Sequence, residues 1–393
     1  MNPAGSILTE RRVTLYGGGL LAGYVGAFAL RFFAGKWLID ESGNPVSLDF
    51  VWIWVGAHFA LARDAVGAFD YSTFSAAQAA LVGQPRGNYP YYHWLYPPTV
   101  LLLIAPFALL PYIVAFFAWI FATLCFYLAA VYAILPRALA VLLAVLPFVV
   151  VENIYLGHTG FIVAGLLGFS LAFMDRRPYL SGIFLGLLTC KPQFGLLFPI
   201  VLVIAGQWRV IAGATASGLL FAIAAAVAFG PGAWVLFVLS LQGHNPSTFM
   251  PDDNLDAMHQ TFFGVMHWSG AGLALTWATH LAVAILIAAL VCLIWLRPVS
   301  HSLKAAALSI GALTLTPYML AYDLPAISVP VAFLVRDALS SGFIRGERLA
   351  LLGCFVSLFL CVYVPIGPIV LLVLMGLVVL RVYAKELGVS PST

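Results

Sequence analysis

Charge is what this chain has least of. Of its 393 residues, 18 are Lys or Arg and 15 are Asp or Glu, 8% in all, where a soluble domain carries about 25%. With 63% hydrophobic residues and a mean hydropathy of +1.03, the chain is a polytopic membrane protein with short water-exposed parts. The net charge of +3 does not indicate a nucleic-acid partner, because the basic residues are scattered as loop anchors. Five cysteines, Cys125, Cys190, Cys292, Cys354 and Cys361, all fall in apolar stretches without metal-like spacing, so they read as small packing residues and no metal site is expected from them. No cleavable signal peptide is visible, since the apolar stretch 13–33 is too long for one and reads as a true span. Tandem repeats of transporter type and low-complexity tracts are absent too.

Apolar runs cover 13–33, 112–134, 138–151, 159–174, 179–190, 193–206, 210–229, 271–296, 305–322, 324–335, 349–364 and 367–380. They predict an all-α protein of about 12 transmembrane helices. Several runs are short for a span of about 20 residues, so bent or partly buried helices are expected. If the spans alternate, most basic residues, from Arg11 and Arg12 to Arg381 and Lys385, fall on one side, which the positive-inside rule makes the cytoplasm. The acids Asp40, Glu41, Asp49, Asp64, Asp70, Glu152, Asp252, Asp253, Asp256 and Asp323 map to the other face, with His58, His93, His158, His244, His259 and His267. The polar chemistry is thus expected outside the cytoplasm. Two long outer loops stand out, 34–96 and 230–270. Segment 50–82 has the spacing of interfacial helices. Residues 97–110 fit a re-entrant or interfacial helix, with Pro97 and Pro98 at its start and Pro106 and Pro111 to bend or end it. The stretch 1–209 is expected to form the catalytic membrane module, and 210–393 a C-terminal transmembrane module.

Against this background a few polar residues stand out. Asp49 lies in an aromatic run with Phe50, Trp52 and Trp54, where partial loss of hydration raises a carboxylate's basicity. Such a group can take a proton from a sugar hydroxyl attacking an anomeric carbon; the plainer alternative is a loop aspartate or a helix N-cap. Tyr89 to Pro98, with Tyr96, is either an interfacial aromatic belt or a wall that stacks on a sugar or polyprenyl chain. Glu152 to Gly160 makes a polar turn in which Asn153 and His158 could bind hydroxyls or phosphate oxygens. Lys191-Pro192-Gln193 interrupts an apolar run, and a lysine there must snorkel or face an anion; phosphate suits it. Asp323 breaks the run 305–335, either to orient Lys191 or a substrate hydroxyl, or to cap a helix. His244, Asn245, His259, Gln260 and Thr261 add hydrogen bonders in the second outer loop. Asp252, Asp253 and Asp256 offer oxygen ligands for a divalent cation or make a solvated acidic loop.

The order of these pieces resembles the GT-C membrane glycosyltransferases, and within them family 87. The pieces are Asp49-Phe50 with Trp54, Tyr96-Pro97-Pro98 closing at Leu110-Pro111, Asn153 with Gly157-His158, Gly186-Leu187 leading to Lys191-Pro192, and Thr316-Pro317 ahead of Tyr322-Asp323. They extend over residues 47–325. The resemblance implies a GT-C fold and a polyprenyl-phosphate-mannose-dependent α-mannosyltransferase, with Asp49 as general base and Lys191 beside the lipid phosphate. Tyr96, Asn153, His158, Gln193, His259, Gln260 and Asp323 are the further substrate-binding candidates. His158 stands where that family more often has Gln, and Tyr322-Asp323 replaces the His-bearing motif of the mycobacterial mannosyltransferases.

The expected protein is therefore an inverting enzyme of a bacterial plasma membrane, multi-pass, with its site on the periplasmic face. It would move mannose from a polyprenyl-phosphate donor to a lipid or glycan acceptor, as a monomer among membrane lipids. No nucleic acid is expected as a partner. No cofactor is firmly implied beyond the cation the acidic loop could hold. The alternative from another class is a lipid or sugar transporter or flippase, which would need polar groups at mid-membrane and access from both sides.

Overall fold

The computed structural model describes residues 10–46, 48–82, 93–242 and 258–386. Tyr89, Tyr91, Tyr92, His244, Asn245, Asp252, Asp253 and Asp256 lie outside them. Among the described residues the chain is helical throughout, with three isolated β-bridges and no strand. The N-terminal half runs through α1 (Glu10–Phe33), α2 (Asp49–Leu61), α3 (Ala65–Phe69), α4 (Tyr71–Val82), α5 (Pro98–Ile104), α6 (Tyr112–Ile134), α7 (Ala138–Val145), α8 (Phe148–Leu156), α9 (Gly160–Phe173) and α10 (Pro178–Leu187). There follow α11 (Phe198–Ile204), α12 (Trp208–Phe229), α13 (Gly232–Gln242), α14 (Phe262–Trp268), α15 (Leu273–Leu296), α16 (His301–Leu315), α17 (Ser328–Ser341), α18 (Glu347–Ser357) and α19 (Gly367–Glu386).

Among the described residues five helices are long and apolar enough to cross a membrane: α6, α12, α15, the continuous stretch Ala321–Ser341 that ends in α17, and Gly367–Ala384 within α19. Twenty-three residues of α6 reach about 35 Å at 1.5 Å per residue, enough for a hydrocarbon core of about 30 Å. A sixth arises if α7 and α8 are one span, bent by 64°. The bend has a cause in the sequence: Pro147 precedes α8, cannot donate to the turn before it, and breaks the expected run 138–151. Further apolar segments fold as helices of 10–17 residues, too short to span alone, among them Pro98–Leu109, Gly160–Phe173, Pro178–Cys190 and Pro192–Ile204.

Proline and small residues explain most of these shapes. Pro98 opens α5, a 3-10 turn over Ala105–Leu109 carries Pro106, and Pro111 caps α6, so residues 97–110 form a short helix of about 18 Å. Lys191, kept out of the helical region before Pro192 at φ −135° and ψ 75°, separates a 3-10 turn at Leu188–Cys190 from another at Pro192–Gly195. Gly182 and Gly186 bring α10 against α12. A Cβ at Gly182 would strike the Val210 carbonyl, and one at Gly186 the Ser217 hydroxyl and Ala214 carbonyl. Such spacing lets two helix backbones approach closely where lipid offers no hydrophobic drive. The stretches 34–96 and 230–270, expected as loops, carry α2, α3 and α4 in the first and α13 and α14 in the second.

Candidate active site

Asp49 owes its place to its neighbour. Phe50 is fully buried and packs on Tyr112 and Phe116, with ring centroids 5.5 and 5.1 Å away. It also fills the space beside Gly157, where a Cβ would meet the Phe50 side chain at 2.7 Å. This plug fastens the start of α2 to the turn between α8 and α9. Leu48, extended, takes the N-cap position and Asp49 the first helical one, so Asp49 does not cap the helix. Its negative charge suits the first turn. The half-buried carboxylate makes no hydrogen bond among the described residues. Loss of hydration, and next the charge of Glu152, push it up to about 7, while Lys191 pulls the other way. Asp49 also lies within electrostatic reach of Tyr318 and Tyr322.

The turn itself is built on a left-handed glycine. Gly157, at φ +74°, closes α8 by donating to the Asn153 carbonyl at 3.0 Å. Trp119 then holds the Gly157 carbonyl with its indole N–H at 2.9 Å. His158 and Thr159 follow, both buried. The Thr159 N–H donates to His158 Nδ1 at 2.8 Å, and the Thr159 hydroxyl lies 3.1 Å from the same nitrogen. Burial, and then the neighbouring Lys191, hold the imidazole well below its ordinary pKa. Asn153 is buried too, and neither end of its amide has a partner among the described residues. An orphan buried amide costs about 1–3 kcal/mol, which makes Asn153 a group poised for a ligand.

Lys191 sits in a cage. Its ammonium donates to Asp323 Oδ1 at 2.7 Å, and both side chains are nearly inaccessible, at 5% and 0%. The ring centroids of Tyr322 and Tyr96 lie 5.0 and 5.5 Å from Nζ, a cation–π contact to each. Tyr322 stacks on His158 at 3.5 Å, and Trp52 lies 6.0 Å from the same imidazole and 5.0 Å from Tyr96. Asp323 also accepts weakly from the Leu320 N–H at 3.4 Å, so it both pairs with Lys191 and caps the 3-10 turn Ala321–Ile327. Beside the cage lies a small apolar gap of about 10 Å³, lined by Val100, Leu103, Ile162 and Val163 and bordered by Tyr96, Thr159 and Lys191.

The other candidates divide. His259 pairs antiparallel with Leu320 and lies 5.6 Å from the Tyr318 ring, which brings it to the edge of the cage. Gln260 is engaged with the backbone: its amide donates to the Cys361 and Val364 carbonyls at 2.6 and 3.2 Å and accepts from the Gly367 N–H at 2.8 Å. It ties the segment after the second loop to the start of α19. Gln193 is half-buried on the turn after Lys191 and takes no part in the polar network. No group of three His, Cys, Asp or Glu side chains able to hold a metal ion occurs among the described residues. Sequence reasoning passed over Thr159, Tyr318, Tyr322 and Trp52 as site residues; the first and third adjoin residues it singled out, and that adjacency was the available signal.

Gly160 carries a sharp expectation. A Cβ there would collide with the Tyr322 carbonyl oxygen and stand 3.1 Å from Asn153 Oδ1. Gly160→Ala should therefore force α9 away from the 321–327 turn, costing about 1–3 kcal/mol or more as overpacking does. Thermal unfolding in detergent checks it, and an unchanged midpoint would show that the two backbones are not in contact.

Residues 94–322 match glycosyltransferase family 87. Searches among curated proteins and among solved structures return no match.

Proposed function

The chain belongs to glycosyltransferase family 87, and from that premise we propose an inverting membrane enzyme that moves a sugar, mannose in the first instance, from a polyprenyl-phosphate donor to a lipid or glycan acceptor. The observation that carries this reading is the buried, caged ammonium of Lys191 beside an apolar gap, with Asp49 in electrostatic reach of that lysine. A phosphate suits the ammonium, and the apolar gap beside it would have to widen to admit an isoprenoid chain. The fold is taken to be GT-C with about 12 crossings, five or six of them the long helices, in a bacterial plasma membrane. The site would open on the extracytoplasmic face, and the protein would act as a monomer. A divalent cation would have to draw on the acidic residues 252, 253 and 256.

In this mechanism Asp49 takes the proton of the acceptor hydroxyl as that oxygen attacks the anomeric carbon. The glycosyl–phosphate bond breaks on the opposite side in the same displacement, and configuration inverts. The bonding pair leaves with the phosphate, which needs no proton from an acid, so one carboxylate suffices where glycosidases use two. Lys191 stabilises the charge growing on that phosphate. Asn153, His158 and Tyr96 are assigned to donor binding, and His259 to the rim. The transporter alternative gains nothing from the family match.

Incubating the purified protein with radiolabelled polyprenyl-phosphate sugars and membrane lipid extracts tests the reading. Label should appear in a lipid or glycan product of inverted anomeric configuration. Its absence with every polyprenyl-phosphate sugar, together with turnover from another donor, would remove the donor assignment.

The base role also fixes a pH dependence. Asp49 must be ionised to accept a proton, and its pKa is near 7. Transfer per unit of free enzyme, measured as kcat/KM, should therefore rise with pH through about 7 and level off above it. A profile that is flat through neutrality would mean that no carboxylate of raised pKa limits the reaction.

A further inference from the structure

The hydrogen bonds around Thr159 fix more than a turn. A backbone N–H can only donate, so the 2.8 Å contact from Thr159 N makes His158 Nδ1 an acceptor. An imidazole nitrogen that accepts carries no proton, and a neutral ring must then hold its proton on Nε2. The Thr159 hydroxyl, 3.1 Å from Nδ1, acts in the same sense when it donates there. Its oxygen is then free to accept from the Tyr96 hydroxyl, 2.9 Å away. The three contacts form one directional chain, Tyr96 O–H to Thr159 O–H to His158 Nδ1. Stacking of His158 on Tyr322 at 3.5 Å fixes the plane of the ring.

Neutrality suits the neighbourhood. Lys191 lies 5.0 Å from the Tyr322 ring that stacks on His158, and 5.5 Å from Tyr96, and a second cation there would repel it. We infer that Thr159 is a positioning residue that holds His158 as the neutral Nε2–H tautomer, so that His158 and Lys191 together present one neutral and one charged donor to an acceptor-only group, the phosphate of the donor. The second half of this inference rests on the proposed donor; the first half stands on the hydrogen bonds alone. It gives Tyr96 a different role from a base or a stacking wall: its hydroxyl backs up Thr159.

The test is nitrogen NMR of the full-length protein labelled with 15N-histidine in lipid nanodiscs, with the His158 signals assigned by their loss in His158→Gln. The expected result is a pyrrole-type Nε2 and a pyridine-type Nδ1 at neutral pH. Thr159→Val keeps the backbone N–H that fixes Nδ1 as an acceptor and removes only the hydroxyl, so Nδ1 should shift while the tautomer persists, and Thr159→Ser should restore the Nδ1 shift. An imidazolium, an Nδ1–H tautomer, or an Nδ1 shift unchanged in Thr159→Val overturns the role given to Thr159. A short-chain isoprenyl monophosphate is then titrated in. The expected response is a shift of Nε2 with little change at Nδ1, and a donor KM about ten- to a hundredfold higher in His158→Phe than in His158→Gln, which keeps an N–H donor. Binding of the isoprenyl phosphate that leaves Nε2 unmoved overturns the shared-donor half while sparing the donor reading. No binding at all refutes the polyprenyl-phosphate proposal and leaves the tautomer result standing.

Discussion

Asp49→Asn should leave the protein folded and inserted in the membrane while transfer falls by about 10²–10⁴-fold, the range associated with losing a general base. The substitution keeps the size and shape of the side chain, and Phe50, which anchors the start of α2, is untouched. The carboxylate holds no hydrogen bond among the described residues, so no partner is orphaned when it becomes an amide. Removing a poorly hydrated charge that already faces Glu152 should leave the thermal midpoint unchanged or slightly raised. Turnover, donor binding and unfolding have to be measured on the same preparation. Loss of turnover with normal donor binding and normal stability identifies a base. Wild-type turnover removes that role, and unfolding would mean that Asp49 is held for structure. The same variant should lose the rise of activity with pH, because the amide has no proton to give up near 7.

How far the sequence could be read follows from what each residue does locally. Breaks in the helices were legible where proline marks its own turn, as at Pro98, Pro111 and Pro192, whereas the bend at Pro147 lies inside a run, 138–151, that hydropathy reads as continuous. The number of crossings was less legible. Hydropathy registers an apolar run whether it crosses alone, bends or folds as a short helix; 138–151 bends by 64°, and others fold as helices of 10–17 residues. Asp49 and Lys191 drew attention because a charge beside the bilayer is costly. That Lys191 would meet a residue 132 positions away, Asp323, was one open alternative among several. Gln260 shows the opposite difficulty. Its amide has the same donors and acceptor whether it meets a sugar or a carbonyl, and here it meets the backbone at 361, 364 and 367. Thr159 escaped notice because its contribution depends on an acceptor nitrogen next door and on Tyr96, 63 residues earlier. The site also draws on both 1–209 and 210–393, since Asp49, His158 and Lys191 are completed by Tyr322 and Asp323.

Asp323→Asn should destabilise the protein by about 3–5 kcal/mol, the cost of removing one partner from a buried ion pair. Asp323 is fully buried and Lys191 nearly so, so a charge left alone there is far from solvent. The two tyrosine rings temper the loss without abolishing it, since a cation–π contact contributes about 0.5–2 kcal/mol. The double change Lys191→Met with Asp323→Leu removes both charges in place of one and should recover most of the stability, because buried pairs replaced by apolar residues of similar volume are often neutral or better. Activity should not follow stability. The double variant keeps a folded cage without the ammonium that the proposed leaving phosphate requires, so it should unfold near the wild-type midpoint and still fail to turn over the donor. Thermal unfolding of the two single variants and the double variant, each paired with a transfer assay, separates the roles. If the double variant is both stable and active, Lys191 serves the fold alone. Should Asp323→Asn unfold like the wild type, the buried pair does not hold the cage, and Lys191 would be free to reach a phosphate without giving up a partner. The arrangement seen here has Lys191 neutralised by Asp323 at 2.7 Å, so a donor phosphate must share the ammonium with that carboxylate. A three-centre contact of this kind sets Lys191 more firmly against the phosphate than a lone flexible lysine would be, and its signature is a donor KM that rises in Asp323→Asn even where the variant remains folded.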